Sequence, residues 1–126
     1  MNQMKGNIME TGVVIWFGEK VFGLNTILQK DWIEIIPLPL QPGSVIEDVK
    51  NTHTPKCESM GIFINASNLK SAELKQLSKE IDILKENWLR IMVMGLENAS
   101  EEIKVIPVTE DADLLAFEIN SILFPD

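Results

Sequence analysis

Short apolar runs alternate with segments of helical periodicity along this chain, and the alternation restricts its fold more than any other feature. The first run, Gly12 to Phe17, is continuous and rich in β-branched and aromatic residues, which predicts a strand buried on both faces. The next segment, Val21 to Lys30, carries apolar residues at helical spacing. Because parallel strands need crossover connections, repeated alternation of this kind predicts a parallel sheet with helices on both faces.

The same pattern repeats down the chain and gives five strand–helix units. The predicted strands cover 12–17, 32–40, 60–66, 89–96 and 104–108. The predicted helices cover 21–30, 42–50, a long stretch capped by Ser71 or Asn68, a short stretch within 97–103 and a last stretch capped by Asp111. We expect a single three-layer α/β/α domain over residues 11–126, with a five-stranded parallel sheet in the order 2-1-3-4-5 and a flexible N-terminus over 1–10.

The pattern also assigns environments to particular side chains. Pro37 cannot donate to a ladder in a sheet interior, so the second strand either ends near Ile36 or lies on an edge. The long helix buries its leucine and isoleucine stripe and places its charged residues, Glu80 among them, on its other faces. Three tryptophans are expected to anchor packing: Trp16, Trp32 and Trp88.

Composition narrows the classes of partner. The formal net charge of −8 and the lack of any Lys or Arg run argue against nucleic acid and against anionic membranes. The longest apolar runs have about six residues, well short of the ~20 that span a bilayer. A single cysteine, Cys57, allows no intramolecular disulfide and fits a reducing compartment. We therefore expect a cytoplasmic protein.

Three segments carry a likeness to a known family. They are the third strand with its polar turn (62–69), the fourth strand (91–95) and the start of the last helix (111–119). With the five-fold strand–helix order, they resemble the receiver domain of response regulators, which has a flavodoxin-like fold. The resemblance covers nearly the whole chain and implies a role in signal transduction.

Receiver chemistry, however, needs residues that this chain lacks. The family uses two acidic residues after strand one for Mg²⁺, an aspartate ending strand three as the phosphoryl acceptor, a hydroxyl ending strand four and a lysine ending strand five. The matching positions here hold Gly18 with Glu19 beyond, Asn65, Gly95, and Ile106 or Pro107. The resemblance therefore implies a pseudo-receiver that is not an enzyme, with no catalytic residue and no metal site.

The connection between the fourth and fifth strands also departs from the family. Only eight residues separate Gly95 from Lys104, whereas receivers place a full helix there as part of their output face. We expect at most a shortened helix in this connection, so signalling through that face would be altered.

No other motif indicates a metal or a cofactor. His53 and Cys57 lie four residues apart in a polar loop, but a structural zinc site needs four ligands and the chain has no further Cys or His. Its early glycines, Gly12, Gly18 and Gly23, do not have the spacing of a dinucleotide fingerprint. We therefore expect no cofactor.

Two main functional hypotheses remain, beside the weaker one that this chain is the isolated sensory domain of a longer protein. The first is a protein-interaction module that presents a surface to a protein partner, with a homodimer formed through the last helix. Phe117 falls off the apolar stripe of that helix, and the predicted interface is Leu114, Phe117 and Glu118. The alternative is a flavodoxin-like domain that binds a small ligand or cofactor at the carboxyl ends of its strands. The predicted ligand-binding residues are Gly18, Asn65, Ser67 and Gly95.

Overall fold

Strands and helices alternate along most of the computed structural model, which describes residues 11–88, 90–97 and 103–125. Those residues form five strands and four helices: β1 Gly12–Phe17, α1 Leu24–Lys30, β2 Ile33–Leu38, α2 Val45–Asn51, β3 Ser59–Asn65, α3 Ser71–Leu84, β4 Ile91–Met94, β5 Lys104–Ile106 and α4 Ala112–Leu123. The predicted flexible N-terminus (1–10) and most of the predicted short helix (98–102) lie outside the described residues.

The strands form one sheet in the order β2-β1-β3-β4-β5, and every pair is parallel. This is the flavodoxin-like order, so the predicted fold class is confirmed. Strand β2 is an edge strand, and its Pro37 lies opposite Trp16 of β1. An edge position tolerates proline because the missing N–H there removes few hydrogen bonds between strands. Of the two arrangements predicted for β2, the structure therefore shows the edge strand.

Helices cover both faces of the sheet, because successive residues of a buried strand point to opposite sides. Ile15 and Phe17 of β1 belong to the core under α2 and α3, together with Leu77 and Ile81. Trp16 belongs to the core under α1 and α4, whose buried residues include Val14, Phe63, Leu28, Leu115 and Ile119. The three-layer architecture therefore rests on two apolar cores that share the same strands.

The segment before β2 differs from the sequence prediction. Trp32 was expected in a strand and in the core, but it precedes β2 with a φ of 61° and its side chain is 51% exposed. Its N–H donates to the Gln29 carbonyl oxygen at the end of α1, and its own carbonyl oxygen accepts from Thr11. This left-handed residue therefore ends α1 and starts the turn into β2. Trp16 is buried and Trp88 packs against the other core, as expected.

Glu80 is the clearest error of the sequence prediction, since its side chain is buried and not solvent-exposed. Its Oε1 accepts a hydrogen bond from the Gly43 N–H at 2.6 Å, and its Oε2 accepts one from the Val45 N–H at 3.0 Å. Val45 is the first residue of α2, and the Ser44 side chain forms no capping bond there. A carboxylate from α3 therefore satisfies the unpaired amides at the start of α2.

Candidate functional site at the carboxyl ends of the strands

The loop after β1 and the end of β3 approach each other closely at Gly18. Its φ is 104°, and a β-carbon there would lie 2.7 Å from the Asn65 carbonyl oxygen. Both the left-handed backbone and the short distance require glycine. The loop from Gly18 to Gly23 therefore leaves β1 directly beside Asn65.

Asn65 uses both halves of its side-chain amide within the protein. Its Nδ2 donates to the Glu19 carbonyl oxygen at 2.9 Å, and its Oδ1 accepts from the Ser67 N–H at 3.2 Å and the Ser67 hydroxyl at 2.6 Å. The residue is only 8% exposed. Asn65 thus holds the loop after β1 against the loop after β3, and its amide is already engaged on both sides.

Glu19 is the point where several of these contacts meet. Its carbonyl oxygen also accepts from Trp16 Nε1 at 3.0 Å, while its carboxylate accepts from Asn68 Nδ2 at 3.2 Å. The Trp16 ring stacks on Phe63 with ring centroids 4.1 Å apart and nearly parallel planes. The Glu19 carboxylate is therefore turned toward the β3–α3 loop.

Gly95 completes the group at the end of β4. Its φ is 93°, and a β-carbon there would lie 3.1 Å from the Cα and N of Ser67. The structure thus brings all four predicted ligand-binding residues to one edge of the sheet: Gly18, Asn65, Ser67 and Gly95. Close backbone approaches and hydrogen bonds join them, so this edge is a junction of loops.

The chemistry available at this edge is limited. Asn65, the last residue of β3, offers an amide here, which lacks the nucleophilic carboxylate of an aspartate. Ile106, the last residue of β5, is buried. Within the described residues, no group of three or more His, Cys, Asp or Glu side chains is arranged to hold a metal ion.

The predicted interface residues lie on α4, whose N-terminus is capped by the Asp111 carboxylate through the N–H groups of Asp113 and Leu114. Leu114 and Phe117 are exposed by 46% and 68%. Glu118 is half-buried and forms an ion pair with Lys104 of β5 at 3.3 Å. Leu114 and Phe117 therefore share the outward face, whereas Glu118 turns toward the edge of the sheet.

One feature of the loop after β1 was missed by the sequence analysis. A cavity of about 620 Å³ opens between this loop, the start of α1 and the end of β2, with Lys20 and Phe22 among its lining residues. The sequence offered a weak signal, since Phe22 falls between the apolar positions Val21 and Leu24 of the predicted helix. Phe22 was placed inside the predicted helix because the turn at Gly23, which precedes α1, was not recognised.

Cys57 and His53 lie away from this edge, in the loop before β3. Partial burial raises the pKa of the Cys57 thiol, and a hydrogen bond with the Ser59 backbone opposes the effect only in part. The thiol is therefore mostly protonated near neutral pH, which makes it a poor nucleophile. None of the helices in the described part of the chain is long and apolar enough to cross a membrane.

No protein-family model, curated protein or solved structure matches this chain. The functional assignment therefore rests on the geometry of its own residues.

Proposed function

We propose that this chain is a non-enzymatic protein-interaction module with receiver-like architecture, which acts in cytoplasmic signalling or regulation and pairs with a second copy through α4. The observation that carries the proposal is the exposed pair Leu114 and Phe117 on the outer face of that helix. We call this pair the α4 surface.

The two side chains of the α4 surface are neighbours. Residues three apart on a helix lie on one face, so Leu114 and Phe117 form a continuous apolar contact area. The helix does not need them for its own packing, because its core contacts come from a separate set of buried residues: Leu115, Ala116, Ile119 and Leu123. Burying an exposed Phe and Leu against a partner removes apolar area from water and favours association.

The surroundings of the α4 surface suit a second copy. The chain carries a net charge of −8, so two copies repel unless their contact region avoids unpaired carboxylates. On the side of α4 toward β5, the Glu118 carboxylate is paired with Lys104. Asp113 is exposed one turn before Phe117, so the two copies must leave this carboxylate in solvent. A two-fold arrangement would place each Phe117 against the apolar pair of the other copy, which is a self-complementary contact.

The loops at the carboxyl edge support the non-enzymatic part of the proposal. A receiver that takes a phosphoryl group needs a free carboxylate beside bound Mg²⁺, whereas Asn65 is engaged with Glu19 and Ser67. We expect beryllofluoride with Mg²⁺ to cause no saturable amide shifts around 62–69. Large, saturable shifts there would contradict this part of the proposal.

The same contacts favour the interaction module over a ligand site at Gly18, Asn65, Ser67 and Gly95. A polar ligand at these residues would have to displace the hydrogen bonds of Asn65 or those of Ser67. A ligand at this position stays a prediction, and native mass spectrometry of the purified protein tests it through any discrete added mass.

Sedimentation equilibrium of the purified chain tests the interaction itself. We expect a monomer–dimer equilibrium that Phe117→Ala weakens by about tenfold or more, because a central aromatic contact dominates a small interface. The matched control is Ile83→Ala, since Ile83 is also half-exposed on a helix but lies on α3 across the sheet. A chain that stays monomeric at every concentration, or equal weakening by both variants, would contradict the proposal.

A further inference from the structure

The cavity beside the loop after β1 has the dimensions of a small-molecule site. Its volume is about 620 Å³, within the roughly 300–1,000 Å³ typical of ligand pockets. Ile35 and Pro37 of β2 line it together with Trp16, and Val21 and Phe22 line it from the loop. It lies outside the group of four predicted ligand residues and on the opposite side of β1 from β3.

The cavity exists because α1 is too short to cover β2. A helix of seven residues is about 10 Å long, whereas a strand of six residues is about 20 Å long. Exposure along β2 follows from this difference: Ile33 is buried, Ile35 is half-buried and Pro37 is exposed. The end of β2 therefore offers an uncovered apolar surface next to the first turn of α1.

Phe22 stands at the opening of this cavity with its side chain 99% exposed. The loop that carries it is held at Glu19 by the hydrogen bonds from Trp16 and Asn65. A phenylalanine ring in this position gains no stability from the fold, whereas contact with an apolar occupant would bury it. The loop thus presents an aromatic ring at the edge of an apolar cavity.

The charge in the cavity has one sign. Lys20 lines it, and among the described lining residues there is no carboxylate, in a chain with 19 acidic and 11 basic residues. The neighbouring Glu19 carboxylate is directed to Asn68 on the other loop. The remaining polar lining residues, Asn25 and Thr26, are neutral. An anion in this cavity can therefore pair with Lys20, and no carboxylate among the described lining residues competes with it for the lysine.

From these observations we infer that the cavity binds a small, flat aromatic anion, whose ring contacts Phe22 and the end of β2 and whose acidic group pairs with Lys20. The shape follows from the apolar wall of Trp16, Ile35 and Pro37, and the charge follows from Lys20. This site is independent of the α4 surface, so either assignment can fail without the other.

A titration of the ¹⁵N-labelled protein with 2-naphthoate tests the inference, and 2-naphthamide serves as the neutral probe of the same shape. We expect saturable amide shifts confined to 19–26 and 35–38. Phe22→Ala should weaken binding of both probes by about fivefold, because each loses the same ring contact. Lys20→Gln should weaken naphthoate by about fivefold and leave naphthamide unchanged.

Matched variants separate these effects from general surface changes. Ile83→Ala removes an exposed apolar side chain on α3, outside the cavity, and Lys30→Gln removes an exposed lysine at the other end of α1, so neither should alter probe binding. The inference is overturned if 2-naphthoate at millimolar concentration gives no saturable shift. It is also overturned if the shifts centre on the α4 surface, or if Lys20→Gln affects both probes equally.

Discussion

The side-chain amide of Asn65 donates a hydrogen bond to the carbonyl oxygen of Glu19, 2.9 Å away, and so joins the end of β3 to the loop after β1. The contact spans two adjacent parallel strands at the edge where α/β domains place their sites. In this chain the position gives structural support, because the same amide also accepts two hydrogen bonds from Ser67.

Asn65→Asp should therefore destabilise the domain. The replacement removes the Nδ2 donor and turns a carboxylate oxygen toward the Glu19 carbonyl oxygen. Two acceptors then face each other, and the Glu19 carbonyl oxygen keeps only its hydrogen bond from Trp16 Nε1. We expect a loss of about 1–3 kcal/mol in the free energy of unfolding, measured by urea denaturation. Asn87→Asp is the matched control, because Asn87 is exposed and lies away from Glu19, and it should cost less than about 0.5 kcal/mol. Equal stability of the wild type and Asn65→Asp would show that the Asn65–Glu19 contact contributes nothing.

Glu80→Gln should weaken the start of α2. The two carboxylate oxygens accept the N–H groups of Gly43 and Val45, and an amide in the same place offers only one acceptor and turns a donor toward the other N–H. We expect a loss of about 1–3 kcal/mol in urea denaturation, against almost none for the exposed Glu86→Gln. If the two variants have the same unfolding free energy, Glu80 does not cap α2.

Trp32 allows a test of backbone strain. Trp32→Gly and Trp32→Ala both remove the indole, but only alanine must keep a β-carbon at a φ of 61°. The glycine variant should be the more stable by about 1 kcal/mol in thermal unfolding. The same pair of replacements at Gln29, an exposed position inside α1, should give the opposite order because glycine weakens a regular helix. A more stable alanine variant at position 32 would contradict the left-handed conformation.

Cys57 should react slowly with thiol reagents in the folded protein. Burial raises the pKa of its thiol, so the midpoint of the rate–pH profile with an aromatic disulfide reagent should lie at higher pH than for the same chain in urea. Because the folded state holds the thiol proton more tightly, this group's contribution to stability is present below the unfolded pKa and is lost as pH rises through the folded pKa. Cys57→Ser should remove that alkaline loss. A lower midpoint in the folded protein would mean that folding lowers the pKa of the Cys57 thiol, which would contradict this prediction.

Much of the fold could be predicted because the deciding signals are local. The run from Gly12 to Phe17 is apolar at every position after the glycine, and β1 has those same bounds. The cap at Asp111 and the strand order were also predicted and are confirmed. These features depend on hydrophobic patterning and capping chemistry, both of which act over a few residues.

Apart from the local turns at Gly23 and Trp32, the errors come from contacts between distant segments. Glu80 looks like a surface residue of an amphipathic helix until α2 places two unpaired N–H groups beside it. The engagement of Asn65 depends on the Glu19 carbonyl oxygen, 46 residues away in the chain. The cavity at Phe22 depends on the difference in length between α1 and β2. No spacing rule within one segment contains such information.

Pairing through the α4 surface is the central claim, and intermolecular nuclear Overhauser effects test it most directly. In a mixture of ¹³C-labelled and unlabelled copies, filtered spectra report only contacts between copies. We predict cross-peaks between the Leu114 methyl groups of labelled copies and aromatic ring protons of unlabelled copies, and their loss in Phe117→Ala. Intermolecular cross-peaks that arise only from another surface would contradict the account. The absence of any intermolecular cross-peak at a concentration where sedimentation shows a dimer would contradict it too.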